Sequence, residues 1–213
     1  MDTQAVIILA LVCASGAISP GPSLAVVMRN TIKGGRTQGV LTSIGHGLGL
    51  TIYAFIAVMG LSSILIGNKT LFTSIQITGS LWLIWIGYNL IRSSSIELPE
   101  HHVESGVKGF VEGLMISFLN PKILVFFVAV FSQFIHKELT VVDKTIIVIV
   151  AGVIDTFWYV LVAMLLAGKN FINQLKENSA WIDRVTGVFI ILIALVIIIK
   201  VFGLSNKTLK LIF

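Results

Sequence analysis

Long apolar runs, separated by short polar segments, make up most of this chain. A helix needs about 20 apolar residues to cross the hydrocarbon layer of a membrane. Six runs are long enough, and we expect each of them to form one membrane-spanning helix. They cover residues 5–28, 40–66, 71–91, 110–135, 145–167 and 185–202. We expect loops between them, among them Arg29–Gly39, and we expect 168–184, with apolar residues among polar ones, to lie flat at the membrane surface.

Proline interrupts two of these runs, the first at Pro20–Pro22 and the fourth at Asn120–Lys122. A proline inside a helix removes a hydrogen bond and clashes with the preceding turn, at a cost of about 3 kcal/mol or more. In a bilayer, the freed backbone groups are tolerated only where protein or a water-filled cavity satisfies them. We therefore expect broken first and fourth helices. The alternative is that both prolines only kink packed helices.

The composition supports the membrane class. Of the 213 residues 56% are hydrophobic and 12% are charged, and the mean hydropathy is +0.98. A soluble domain carries about 25% charged residues, so the predicted fold class is an all-α integral membrane protein. Basic residues are scattered over the connectors, and no nucleic-acid partner is expected. No basic segment precedes the first run, so we expect it to remain as a span and not to be a cleaved signal peptide.

The two halves of the chain resemble each other. Three sections match in the same order: 51–61 with 156–166, 77–92 with 185–200, and Pro22 with Pro121. Because each half holds three spans, an odd number, the halves must have opposite orientations in the membrane. The sequence thus predicts two inverted three-helix repeats, residues 1–94 and 108–213, joined by a linker at 95–107. Inverted repeats with interrupted helices at corresponding positions point to a transporter site near the bilayer midplane.

Three ionisable residues lie deep inside apolar runs, where a charge costs about 2.5 to 3.5 kcal/mol on insertion scales. Asp155 is expected to carry a proton or to balance a cationic group, or else to form a structural ion pair with Lys122. Lys122 is expected to bind an anionic group or to reach toward the membrane surface. His46, set among glycines, either joins a proton relay or bonds a carbonyl in a close helix contact.

Together these features suit a zwitterion. Helix N-termini at the two breaks would attract a carboxylate, and Lys122 would add a full charge. Asp155 and freed carbonyls would accept an ammonium group, so the predicted substrate is a free amino acid. The predicted substrate-binding residues are Pro20, Gly21, Pro22, Asn120, Pro121 and Lys122, and the predicted proton-coupling residues are Asp155 and His46.

Several local motifs occur in a fixed order: Ser-Pro-Gly-Pro at 19–22, Gly-Gly-Arg-Thr-Gln-Gly at 34–39, Gly-His-Gly at 45–47, and Phe-Leu-Asn-Pro-Lys at 118–122 with Phe126 and Phe127. In this order they resemble the LysE/RhtB family of bacterial amino-acid exporters, over nearly the whole chain. The resemblance implies export of amino acids (basic, or of the threonine, homoserine and leucine types) across the inner membrane, driven by proton exchange. It also implies that Asp155 matches a commonly acidic position, and it does not fix the substrate.

Three rival functions stay open at this point. An ion or metal transporter would need more oxygen or sulfur ligands in the spans than Asp155, Asn120 and a few hydroxyls supply. A membrane enzyme using His46 and Asp155 lacks a nucleophile–base spacing or a metal motif. A purely structural membrane protein would hold its charges as closed pairs.

The last predictions concern the cofactors, partners and membrane orientation of the protein. No cofactor and no metal are expected, although the adjacent His101 and His102 in the linker are a conceivable metal site. The lipid bilayer is the expected surrounding, and a homodimer is left open. Slightly more Lys and Arg residues lie in the first, third and fifth connectors than in the others, which favours both termini outside.

Overall fold

The computed structural model describes residues 1–19, 21–92, 107–136, 138–165 and 169–202. Within these ranges every regular element is an α-helix. In chain order the helices are α1 (Thr3–Ile18), α2 (Pro22–Gly67), α3 (Lys69–Arg92), α4 (Val107–Leu119), α5 (Pro121–Phe131), α6 (Val141–Leu165) and α7 (Lys169–Val201). The linker that the sequence predicts at 95–107, with His101 and His102, lies almost wholly outside the described residues, as does Pro20.

The predicted helical membrane class is confirmed. In the described part of the chain four helices are long and apolar enough to cross a membrane: Pro22–Gly67, Lys69–Arg92, Val141–Leu165 and Ala180–Val201. A fifth crossing is reached if α4 and the following helix, bent by 60°, form one span. Helix α1 is apolar but has only 16 residues, which is short for a crossing by itself.

Both predicted helix breaks are present. Helix α1 ends at Ile18 and α2 begins at Pro22, with Gly21 between them in an extended conformation (φ −177°, ψ −175°). Helix α4 ends at Leu119 and α5 begins at Pro121. Proline is well suited to the first turn of a helix, because the N–H it lacks would have no partner there. The helices are thus interrupted at these points and not only kinked.

Two predicted connectors are wrong. The segment Arg29–Gly39, predicted as a loop, is helical on both sides of Gly35, whose φ of 80° and ψ of 174° make the only non-helical point inside α2. Polar residues such as Arg36 indicated a solvent-exposed loop. In the structure a single glycine with positive φ is enough to turn the chain here. The segment 168–184, predicted to lie flat at the membrane surface, belongs from Lys169 onward to α7, because no glycine or proline interrupts it.

Close packing between α2 and α4 depends on glycine. A Cβ atom at Gly113 of α4 would overlap the carbonyl oxygen of Thr42, and one at Gly45 of α2 would overlap the carbonyl oxygen of Phe110. Apolar burial drives helix association weakly in lipid, so such close backbone contacts are a main source of stability there. These contacts fix the position of α4 against the part of α2 that carries His46.

The interface between α2 and α6 is reciprocal. A Cβ at Gly47 of α2 would overlap Thr156 of α6, and a Cβ at Gly152 of α6 would overlap Thr51 of α2. Each threonine hydroxyl donates to the carbonyl of the glycine four residues earlier in its own helix, at 2.7 Å in both cases. The two helices therefore present the same Gly-x-x-x-Thr surface to each other.

Helices α3 and α7 also make reciprocal contacts. A Cβ at Gly87 would lie 2.6 Å from the carbonyl oxygen of Gly187, and a Cβ at Gly187 would lie 2.5 Å from that of Gly87. A Cβ at Gly87 would also meet Ile191, and a Cβ at Gly187 would also meet Ile91. Each isoleucine lies four residues after the glycine of its own helix. The match of 77–92 with 185–200 pairs Gly187 with Gly79 and not with Gly87. Only the α2–α6 interface therefore brings together residues that the sequence match pairs, Gly47 and Gly152.

Candidate functional site

The two helix breaks meet at one internal cavity. It measures about 50 Å³, which is several times the space that a single water molecule requires. Three groups of residues line it. The breaks contribute Ser19, Gly21, Ser23, Asn120 and Lys122; α2 and α6 contribute His46, Asp155 and Tyr159; and an apolar wall consists of Cys13, Gly16, Ala17, Leu50, Ile123, Phe126, Phe127 and Ala151.

Direct hydrogen bonds join one break to the other. The Nζ atom of Lys122 donates to the Ser19 hydroxyl at 2.6 Å, and the Asn120 amide donates to the Ser23 hydroxyl at 3.0 Å. Ser19, Ser23 and Asn120 are all at least nine-tenths buried. These bonds give buried polar side chains of the two breaks partners across the cavity, as a protein interior requires.

The helices that begin at the breaks are capped differently. The Asn120 side chain accepts a hydrogen bond from the backbone N–H of Lys122 at 3.0 Å and so caps α5. Gly21, at the corresponding position of α2, has no side chain and cannot do the same. The first backbone bond of α2 runs from Ala25 to the carbonyl of Gly21. The start of α2 thus offers uncapped N–H groups and a partial positive charge beside the cavity.

His46 and Asp155 form a buried pair. Nδ1 of His46 lies 2.8 Å from Oδ2 of Asp155, and the two residues are 1% and 4% exposed. His46 thus bonds a carboxylate and not a carbonyl, and its part in a proton relay stays a prediction. The predicted ion pair between Asp155 and Lys122 is wrong, because Asp155 pairs with His46 and the Lys122 ammonium group donates to the Ser19 hydroxyl.

Tyr159 connects this pair to the breaks. Its ring meets that of His46 edge to face, with the ring centroids 4.7 Å apart. Its hydroxyl interacts with the Ser23 side chain, which also accepts from Asn120. A continuous chain of contacts therefore runs from the second break to Asp155: hydrogen bonds through Ser23 to Tyr159, and then the ring contact between Tyr159 and His46. One feature of the sequence could have pointed to Tyr159: it lies one helical turn after Asp155, on the same face of the helix.

A second polar cluster lies along α2 and α4. The Arg29 guanidinium pairs with the Glu112 carboxylate at 2.5 Å, and the Asn30 amide donates to Glu112 at 2.7 Å and to Thr42 at 2.9 Å. Arg29, predicted as a connector charge, is 6% exposed. It is buried because α4 packs against it and supplies the carboxylate, a contact between residues distant in the sequence.

The predicted site residues are largely brought together. Five of them line the same cavity: Gly21, Asn120, Lys122, His46 and Asp155. Pro22 and Pro121 begin the two helices that start beside it, and Pro20 lies outside the described residues. Ser19, Ser23 and Tyr159 are cavity residues that the sequence did not single out. Among the described residues, no three His, Cys, Asp or Glu side chains lie close enough together to hold a metal ion.

A helical membrane protein with a cavity between two interrupted helices, lined by both charged and apolar residues, has the architecture of a transporter. The chain belongs to the LysE type translocator family, whose model matches residues 14–201. This confirms the resemblance seen in the sequence. Because the family is one of translocators, the membrane-enzyme alternative is set aside.

Several relatives cover most of the chain. A protein named threonine efflux protein from Escherichia coli K12 is 28% identical over 176 residues, which are 80% of this chain and 85% of the relative. A protein named leucine efflux protein from Enterobacter sp. strain 638 is 25% identical over 75% of this chain and 77% of the relative. An uncharacterised membrane protein of Haemophilus influenzae is 24% identical over 86% and 90%. No solved structure gives a significant match.

Proposed function

We propose that this protein exports free amino acids across the bacterial inner membrane and binds them in the cavity between the two helix breaks. Relatives named for threonine and leucine efflux support the substrate class. The observation that carries the proposal is the meeting of the two breaks at one cavity, which is lined both by Lys122 and by the His46–Asp155 pair. A zwitterion needs one cationic and one anionic partner of this kind.

The carboxylate of the substrate binds between Lys122 and the start of α2. A Cβ at Gly21 would lie 3.7 Å from Nζ of Lys122, so the uncapped helix start and the ammonium group face the same small space. Both attract an anion. On binding, the carboxylate replaces the Ser19 hydroxyl as the partner of Lys122. The proposed binding residues remain Pro20, Gly21, Pro22, Asn120, Pro121 and Lys122.

The ammonium group and a proton compete for Asp155. An unpaired charge in a buried site is costly, so the carboxylate is stable when it holds either a proton or a cation. When the substrate ammonium group binds there, the proton leaves through His46 or directly to water. Export of one amino acid is then exchanged for entry of a proton, and both cannot occupy the site together.

The architecture that we propose has six crossings in two inverted repeats, residues 1–94 and 108–213, with the linker at 95–107. Helix α1 and the part of α2 before Gly35 form the first crossing, and the rest of α2 forms the second. The reciprocal contact of Gly47 and Gly152 with the threonines of the opposite helices supports this arrangement. Transport follows when one repeat rocks against the other around the fixed cavity.

The coupling pair breaks the symmetry of these repeats. Pairing Gly47 with Gly152 relates His46 to Ala151 and Asp155 to Leu50. Ala151 and Leu50 also line the cavity. The residues that the repeat relates to His46 and Asp155 are therefore apolar. A single protonation site therefore serves both orientations of the transporter.

The proposal is tested by flux. Protein is reconstituted into liposomes loaded with radiolabelled amino acids, and efflux is followed after an inward proton gradient is imposed. Asp155→Asn, which cannot ionise, should lower gradient-driven efflux at least tenfold, whereas the exposed Glu138→Gln should leave it unchanged. Amino-acid efflux equal to that of protein-free liposomes would refute the proposal. Cation flux without amino-acid flux would favour an ion transporter instead.

A further inference from the structure

We infer that the cavity selects amino acids with uncharged, compact side chains, and that Cys13, Gly16, Ala17 and Phe126 form the subsite for the side chain. This inference rests on the proposed function and names the substrate class of the same site. It uses the apolar wall of the cavity, which binding of the carboxylate and ammonium groups leaves unoccupied.

The wall on α1 consists of small residues on one face. Cys13, Gly16 and Ala17 are spaced by three and four residues, which places them together on the helix surface. All three line the cavity, and Cys13 and Ala17 are each 6% exposed. A face built from such short side chains leaves space beside the helix that larger residues would fill.

Phe126 closes this space from the opposite side. A Cβ atom at Gly16 would lie only 2.9 Å from Cζ of Phe126, so the ring lies directly against the α1 backbone. The ring is 6% exposed and belongs to α5, the helix that begins at the second break. Gly16 and Phe126 together set the depth of the subsite, because the ring can approach α1 this closely only where a side chain is lacking.

The charges that line the cavity exclude charged substrate side chains. Among the described lining residues the acidic and basic side chains are Lys122, Asp155 and His46. The substrate carboxylate occupies Lys122, and the substrate ammonium group occupies Asp155 with its partner His46. A third charge on the substrate would face Phe126 and the α1 wall without a counter-charge, and burying an unpaired charge is strongly unfavourable.

The test compares amino acids whose side chains differ in charge and size, in the reconstituted protein. Counterflow of L-leucine is measured in competition with L-alanine, L-threonine, L-lysine, L-glutamate and L-phenylalanine. Alanine and threonine should compete within about tenfold of leucine, and lysine and glutamate at least a hundredfold more weakly. Wild-type transport of lysine or glutamate within tenfold of leucine would overturn the inference while leaving amino-acid export intact. Absence of transport for every amino acid would instead refute the proposed function.

Variants of the wall locate the subsite. Phe126→Ala should raise the rate for phenylalanine relative to alanine at least tenfold, because it removes the ring that limits depth. The matched control Phe157→Ala removes an exposed ring from α6 and should leave that ratio unchanged. Should Phe126→Ala fail to fold, Gly16→Ala should lower leucine transport relative to alanine, with Gly60→Ala, which meets no neighbour, as control. An unchanged ratio in a folded wall variant would overturn the assignment.

Discussion

Hydroxyl groups complete the site, and the sequence gives little sign of which hydroxyls do so. Thr51 and Thr156 bond carbonyls of their own helices, the usual fate of such residues in a membrane helix. Ser19 and Ser23 instead accept hydrogen bonds from the second break. This difference depends on which helix lies opposite, and that information is absent from the local pattern. Charged residues such as Asp155 could be predicted, because their cost in lipid demands a reason.

The buried cluster around Arg29 is expected to stabilise the fold. Glu112→Ala removes the carboxylate that pairs with Arg29 and accepts from Asn30. Leaving such groups without a partner costs about 1–3 kcal/mol. Thermal unfolding of the purified protein should shift downward by about 2–4 °C for each kcal/mol, on the scaling for chains of this length.

The control for this change is Arg92→Ala, which removes an exposed guanidinium bonded to the Tyr88 hydroxyl. An exposed contact of this kind contributes little, so the unfolding temperature should stay within about 1 °C of the wild type. Equal shifts for Glu112→Ala and Arg92→Ala would show that the buried cluster does not stabilise the fold.

At the scale of elements, the helix breaks could be predicted and the connectors could not. Proline acts through its own ring and its missing N–H, so the interruptions before Pro22 and Pro121 follow from local chemistry. Connector bounds depend on packing: Arg29 and Asn30 remain within α2, and their side chains bond to Glu112 of α4. Helix α7 has 33 residues and extends for about 50 Å at 1.5 Å per residue, well beyond the apolar run from which its span was predicted.

The reciprocal contact of α2 with α6 predicts matched effects of two substitutions. Gly47→Ala and Gly152→Ala each place a Cβ against the threonine of the opposite helix. Overpacking of this kind costs about 1–3 kcal/mol, so both should lower the unfolding temperature by similar amounts. Gly60→Ala, whose Cβ meets nothing within 4 Å, should be neutral or slightly stabilising. A large effect of only one of the two interface variants would contradict the symmetric packing.

At the scale of the whole molecule, composition predicts the class, and the number of crossings depends on α1. With 16 residues it is too short to span by itself, and it completes a crossing only together with the start of α2. Apolar segments resemble one another by composition alone, so the sequence matches are weak support for the repeat. The α2–α6 contact is stronger support, since it brings the paired residues Gly47 and Gly152 to one interface in three dimensions.

Six crossings make a direct topological prediction. If α1 and the start of α2 cross together, an N-terminal tag and a cysteine at Lys69 lie on the same side of the membrane. If they form a re-entrant segment, the two lie on opposite sides. Membrane-impermeant thiol labelling of Lys69→Cys, together with protease access to the tag in sealed vesicles, should place both on one side. Opposite sides would contradict the inverted repeat.

Protection of the cavity by substrate tests the central claim most directly. In a Cys13→Ala background, single cysteines replace Ser19 or Ser23, which face the second break, and Ser63, an exposed residue near the end of α2. A small hydrophilic thiol reagent is applied to the reconstituted protein with and without saturating L-leucine. The amino acid should slow labelling at Ser19→Cys and Ser23→Cys about tenfold or more and leave Ser63→Cys unaffected. Labelling of Ser19→Cys and Ser23→Cys that proceeds equally fast with and without amino acid, in a protein that transports leucine, would contradict a binding site between the breaks.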